Sequence, residues 1–229
     1  MRITQGFLPL LCFFPMSSMV CFAQSQVVSN ARDTLRITVH VYNYVQAPRT
    51  VVAGAQAEAA GVLSRAGLQT VWLDCTKHGD SSSPDPACSV SSGNVDFVMN
   101  LVNHLEDFDP WVHRSALGFS IVPTDGEFGS TSYVSLPRVR ALAAPGNFPK
   151  AKVLGLAMAH ELGHLLLGTM DHSYRGIMRA LWPSRNLENF DSSEFLFTNG
   201  QVKHLRASVL AREKRDSEAA RLRSEAKQH

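Results

Sequence analysis

The chain lacks a charge excess, an internal repeat and a basic stripe. Its 22 lysines and arginines nearly balance its 20 aspartates and glutamates, for a formal net charge of +2 at pH 7. That balance gives no reason to expect a nucleic acid or an acidic membrane as a partner. With 45% hydrophobic and 18% charged residues, the composition is that of a globular protein.

The N-terminal apolar stretch, residues 7–22, is short and is broken by Pro15, so it does not predict a membrane-spanning helix. A single positive charge, Arg2, precedes it, and the pattern predicts a secretory signal peptide over residues 1–23. A lipid anchor on Cys21 is the disfavoured alternative, because Val20 stands where such signals usually have a small residue. We expect a secreted or periplasmic protein with no stable membrane anchor, whose residues 24–229 form a single domain.

Cysteine is scarce, and its placement agrees with export. Of the four cysteines, Cys12 and Cys21 lie in the predicted leader, which leaves Cys75 and Cys88 as a pair. The polar residues 76–87 between them predict a surface loop. A disulfide closing this loop fits an oxidising compartment, and free thiols are the alternative if the chain is not exported.

Hydrophobic periodicity predicts an α+β fold of five strands and three helices. The strands are expected at residues 35–45, 70–74, 95–102, 116–122 and 131–136, and the helices at 51–66, 153–168 and 199–226. Strand, helix, strand at the start implies a parallel pair joined by a crossover. A loop with Gly146 and Pro149 should lead into the second helix, and the last helix should be charged and exposed from about residue 213.

The second helix contains the sequence His160-Glu161-Leu162-Gly163-His164. Positions i and i+4 lie on one face of a helix, so the imidazoles of His160 and His164 can bind one metal ion. Glu161 would then lie beside the metal and act as the general base for its bound water. The alternative is a chance match on an ordinary helix. Because the flanking residues are apolar, the helix should be buried, and buried His and Glu need partners such as a metal and its water.

The HExxH helix late in the domain, followed by His172 and then Met178 in a Gly-Ile-Met sequence, resembles the metzincin clan of zinc metallopeptidases. The resemblance implies a twisted mixed five-stranded sheet, Zn2+ as cofactor, His160 and His164 as ligands, Glu161 as base and Met178 as the turn methionine. It also implies that peptide substrate lies along an edge strand, by position residues 116–122.

The spacing after His164 departs from the metzincin pattern, in which the third ligand follows the second by six residues. Met170 occupies that position, and His172 lies two residues later. We predict His172 as the third ligand, because three neutral imidazoles leave the full charge of zinc to acidify its water. Asp171 is the alternative ligand if the site is of the aspzincin kind, and otherwise an acceptor for an imidazole N–H. Glu188 or Glu194 would complete a site of the gluzincin kind.

The predicted function is an exported zinc-dependent endopeptidase, a hydrolase in which Glu161 activates a zinc-bound water, acting on a peptide or protein substrate. A secreted zincin-fold binding or structural protein without turnover is the alternative. Tyr174 is a candidate hydrogen-bond donor to an oxyanion, or else it simply packs the loop. The remaining histidines are assigned no ligand role; they are His40, His78, His104, His113, His204 and His229.

Overall fold

A five-stranded sheet forms the framework of the part that the computed structural model describes, residues 35–76, 88, 93–182 and 193–227. The predicted leader, His78 and Glu188 lie outside these residues. The strands are β1 Leu35–Asn43, β2 Leu68–Asp74, β3 Asp96–Val102, β4 Gly118–Ser120 and β5 Thr131–Ser135. The boundaries of every strand lie within two residues of the predicted ones, although β4 is shorter than the predicted 116–122 at both ends.

The strand order in the sheet is β2-β1-β3-β5-β4. β1 runs parallel to both β2 and β3, β3 runs parallel to β5, and only β4 is antiparallel to its neighbour. The predicted parallel first pair and the mixed five-stranded sheet are therefore confirmed. Because the sheet is mostly parallel and covered by helices, the fold is better described as mixed α/β than as α+β.

Four α-helices accompany the sheet in the described part: α1 Arg49–Arg65, α2 Leu136–Ala143, α3 Lys150–Leu167 and α4 Asn199–Ala226. α3 is buried nearly all round, and it packs closely against α1. A Cβ at Gly155 would lie 2.5 Å from the carbonyl oxygen of Ala55. A glycine at this position is what lets the two helices approach, and the core forms between them and the sheet.

The prediction of a loop between β5 and α3 is wrong in part, because α2 occupies the first half of that segment. Pro137 falls in the first turn of α2, where a missing N–H costs nothing, and the Ser135 hydroxyl caps the helix by accepting from the N–H of Arg138. Arg138 also donates to the carbonyl oxygens of His113 and Ala116 and pairs with Glu106. The short helix thus anchors the segment that leads to the edge strand β4.

The terminal helix α4 begins at its predicted first residue, after Thr198, which forms a capping box with Gln201. Its buried stripe is Leu205, Val209 and Arg212, whereas Leu210 is 52% exposed. The Arg212 guanidinium donates to the carbonyl oxygens of Asn94, Gly129 and Leu165. A buried cation with three carbonyl acceptors therefore connects α4 to the end of α3.

The end of α4 is charged, as predicted, and its residues 220–227 are exposed. Contact with the body nevertheless continues to Asp216, which accepts from the backbone and side chain of Asn94, and Arg215 pairs with Glu127. Across residues 35–76, 93–182 and 193–227, no helix combines the length and the apolarity needed to cross a bilayer.

Candidate metal centre

The HExxH sequence lies on the last three turns of α3, which brings the imidazoles of His160 and His164 together. Gly168 ends the helix in the left-handed conformation (φ 66°), and its N–H donates to the carbonyl oxygen of His164. The two Nε2 atoms lie 3.0 Å apart, and the ring centroids lie 4.7 Å apart. The i, i+4 spacing predicted from the sequence therefore produces two converging nitrogen atoms.

Backbone carbonyl groups fix the tautomer of both rings. Nδ1 of His160 lies 2.8 Å from the carbonyl oxygen of Ile177, and Nδ1 of His164 lies 2.8 Å from that of Thr169. A carbonyl oxygen can only accept, so each Nδ1 carries the proton and donates it. In the neutral rings the two facing Nε2 atoms then both present lone pairs.

Both rings are neutral at pH 7. Burial, together with the neighbouring imidazole of His164, lowers the pKa of His160 to about 3, and burial lowers the pKa of His164 to about 4. Two lone pairs 3.0 Å apart repel each other unless a cation binds both. With Zn–N bonds of about 2.0–2.1 Å, tetrahedral ligand nitrogens lie about 3.3 Å apart. The donor set and its spacing therefore fit a metal ion.

His172 supplies a third imidazole on the more exposed side of this pair. Its ring centroid lies 5.3 Å from that of His160 and 4.9 Å from that of His164. One possible ligand atom from each of the three residues falls within 4.8 Å of the other two. Two buried rings and one exposed ring leave the cluster accessible from solvent, as a catalytic site requires and a closed structural site does not.

The turn that returns the chain beneath the cluster contains Met178. The N–H of Ser173 donates to the carbonyl oxygen of Met178 (2.7 Å), and Gly176 has a positive φ of 79°. A Cβ at Gly163 would lie 2.5 Å from Met178 Sδ, so the glycine inside HExxH is needed for close packing against this methionine. The need for Gly163 could not be predicted from the HExxH sequence, because that contact depends on a residue fifteen positions later.

Glu161 is buried, with 4% of its surface exposed, and its carboxyl group faces the edge strand β4. The Ser120 hydroxyl lies 2.8 Å from Glu161 Oε2 and donates to it. Burial raises the pKa of Glu161 to about 8, against the lowering effect of this hydrogen bond. A Cβ at Gly118 would lie 2.8 Å from Glu161 Oε1, so a glycine on β4 makes room for the carboxylate.

Three other predicted candidates are exposed and are not part of the three-histidine group. Asp171 is exposed, and its carboxylate is not in the described histidine group, although its charge raises the pKa of His164 and His172 against the effect of burial. Tyr174 is 95% exposed. Glu194 is exposed in a short 3-10 helix, Ser193–Phe195.

Trp182 is a site residue that the sequence analysis missed. Its indole N–H donates to the carbonyl oxygen of Ile177 (3.2 Å), which also accepts from His160. The indole ring stands edge-on to the His160 ring, with centroids 5.6 Å apart. Since Trp182 lies in irregular chain with no periodicity, nothing local in the sequence indicates this contact.

The predicted disulfide between Cys75 and Cys88 is confirmed, with Cα atoms 5.5 Å apart. The imidazole of His40 lies against it, with Nδ1 3.6 Å from Cys75 Sγ. These three residues form a second group whose possible ligand atoms lie within 4.8 Å of one another. In the oxidised chain the two sulfur atoms are bonded to each other, so they do not provide thiolate ligands.

No protein-family model matches the chain, and no curated protein matches its sequence. Among solved structures, the chain is similar to archaemetzincin from Methanopyrus kandleri, at 14% sequence identity and a TM-score of 0.46. That match covers 77% of this chain and 97% of the archaemetzincin chain.

Proposed function

We propose that the chain is an exported zinc-dependent endopeptidase in which His160, His164 and His172 hold the metal. The observation that carries the proposal is the pair of neutral, buried imidazoles whose Nε2 lone pairs face each other at 3.0 Å. A buried arrangement of that kind is stabilised only when a cation is shared between the nitrogens. Zinc is the common divalent ion that prefers three imidazoles with one open position.

Zinc, when bound, polarises a substrate carbonyl group and makes a neighbouring water more acidic. Glu161 is the only carboxyl group on the HExxH turn, and we assign it the role of general base. It takes a proton from the attacking water and passes it to the leaving amine. The raised pKa of Glu161 applies to the metal-free chain, because a divalent cation nearby favours the ionised carboxylate.

Substrate binding is assigned to β4, the edge strand that carries the hydrogen-bond partner of Glu161. β4 pairs on one side with β5 and ends the sheet on its other side. An extended peptide can add to such an edge through main-chain hydrogen bonds. In this proposal the substrate backbone lies along the strand whose Ser120 donates to the Glu161 carboxylate and whose Gly118 leaves room for it.

The test compares Glu161→Gln with Glu218→Gln, which alters an exposed glutamate on α4. Both variants should retain about one zinc per chain, since neither removes a ligand. Hydrolysis of a broad peptide library should fall by about 10²–10⁴-fold only in Glu161→Gln, the contribution of a general base. Zinc content is measured by mass spectrometry and cleavage by product analysis.

Unchanged hydrolysis in Glu161→Gln would contradict the assigned mechanism. Bound zinc without hydrolysis in the parent chain would instead identify a non-catalytic zincin-fold binding protein. The shifted position of His172 is what makes that second candidate worth testing. Cleavage that a chelator abolishes in the parent chain excludes it.

A further inference from the structure

The face of the sheet opposite the core carries a second cluster built from β1 and the end of β2. Val39 and Val41 of β1 are buried in the core, so His40 between them points to the other face. His40 is paired with Leu73 of β2, and the N–H of Cys75 continues the ladder by donating to Val41. Since Cys75 follows Leu73 by two residues, its sulfur lies on the same face as His40.

His40 is unusually placed for a histidine on this face. It is 3% exposed, and its Nε2 atom is buried with no hydrogen-bond partner among the described residues. Its Nδ1 atom faces Cys75 Sγ, and a disulfide sulfur has no proton to donate and accepts only weakly. In the oxidised chain Nδ1 therefore gains little from the sulfur that it faces, and it is the ring nitrogen that a stronger partner could engage in another state.

The separations agree with metal ligation after reduction. In a tetrahedral zinc site with Zn–S of about 2.3 Å and Zn–N of about 2.0–2.1 Å, sulfur and nitrogen ligands lie about 3.6 Å apart. The observed distance between Cys75 Sγ and His40 Nδ1 is 3.6 Å. The possible ligand atoms of His40, Cys75 and Cys88 already lie within 4.8 Å of one another. Once the disulfide is reduced, the two sulfur atoms must separate to about 3.8 Å to act as two thiolate ligands of one ion.

We propose that His40, Cys75 and Cys88 form a reduction-dependent site for a thiophilic divalent cation such as Zn2+. A dithiol reductant transfers two electrons and two protons to the Cys75–Cys88 bond and is itself oxidised to a cyclic disulfide. Binding of one divalent cation by the two sulfurs then releases those two protons, and a ring nitrogen of His40 completes the three ligands. Two thiolates and one imidazole suit a soft or borderline cation.

This site is independent of the three-histidine cluster and of the proposed peptidase activity. The two share no residue, and His40 lies on the opposite face of the sheet from the core against which α3 packs. The reduced chain holds one cation more than the oxidised chain. A chain that has not yet been oxidised thereby keeps both thiols occupied instead of exposing them to other disulfides.

The test titrates the full-length, metal-free chain with Co2+, with and without prior reduction by an excess of dithiol that is then removed under anaerobic conditions. The oxidised chain should bind one Co2+ and the reduced chain two. Only the second should show sulfur-to-cobalt charge-transfer absorption, which imidazole ligands do not produce. His40→Gln should weaken the second site at least tenfold, whereas His104→Gln, an exposed histidine, should leave it unchanged.

A second measurement uses the unsubstituted chain, so its result does not depend on whether the His40 variant folds. Reduced chain is treated with iodoacetamide with and without Zn2+, and peptide mapping follows alkylation at Cys75 and Cys88. Zn2+ should slow alkylation at both. Equal metal uptake by the oxidised and reduced chains, or equal alkylation with and without Zn2+, would overturn the proposal. Unchanged Co2+ affinity in folded His40→Gln would also overturn it, by showing that His40 is not a ligand.

Discussion

The chain forms two separate histidine-containing clusters, and they differ in whether their donor atoms have lone pairs available for a metal ion. His160, His164 and His172 converge with the Nδ1 protons of the first two engaged by carbonyl oxygens. His40, Cys75 and Cys88 converge equally well, but a covalent bond joins the two sulfurs. Proximity alone therefore does not define a metal centre. Available lone pairs, oriented by outer hydrogen bonds, do.

The largest expected difference between the clusters is in zinc affinity under oxidising conditions. His160→Ala removes a ligand, so affinity should fall by more than the roughly 100-fold that loss of an outer hydrogen bond costs. His40→Ala should leave zinc affinity unchanged while the disulfide is intact. Competition with a chromophoric chelator measures both. Similar losses in the two variants would remove the distinction between the clusters.

For the free energy of unfolding, the cluster that contains the disulfide should matter more than the three-histidine cluster. Cys75→Ser combined with Cys88→Ser removes a disulfide with a sequence separation of 13 residues, which should lower the free energy of unfolding by about 3 kcal/mol. Zinc binding at the three-histidine cluster should not change. Denaturant titration and zinc content are the two measurements. Loss of zinc in the folded double variant would show that the clusters are coupled.

A smaller effect should follow from Trp182→Phe, which keeps an aromatic ring beside His160 but removes the hydrogen bond to Ile177. Because that carbonyl group orients the His160 imidazole, we expect zinc affinity to fall by about tenfold. Trp72→Phe is the matched control, since the Trp72 indole N–H is buried and unpaired in the described part of the chain. An equal loss of affinity in both variants would indicate general destabilisation.

The smallest predicted effect concerns the pH dependence of hydrolysis. Ser120 lowers the pKa of Glu161 by donating to the carboxylate, so Ser120→Ala should raise that pKa further. A base must be ionised to act, and the acidic limb of the pH–rate profile should therefore move to higher pH. Ser132→Ala, which removes a hydroxyl bonded to the carbonyl oxygen of Val98, should leave the limb in place. A shift to lower pH in Ser120→Ala would contradict the assigned base.

Much of the framework could be predicted because its signals are local. Alternation identified β1 and its parallel partners, and an apolar run ended by Gly168 identified α3. The disulfide could be predicted because its two cysteines lie at the ends of a polar loop. α2 escaped prediction because it is only two turns long and contains Pro137, which reads as a helix breaker until its first-turn position is known.

Within the candidate site, some features follow from the sequence alone and others depend on the tertiary structure. By itself the sequence determined that His160 and His164 share a helix face, because the period of an α-helix is fixed. Only the tertiary structure decided which third side chain joins them, since a short irregular turn brings in the His172 ring and leaves Asp171 outside the group. The hydrogen bonds from Ser120 to Glu161 and from His160 to the carbonyl oxygen of Ile177 also depend on the tertiary structure. They join segments that are distant in the sequence, and no local pattern encodes how such segments pack.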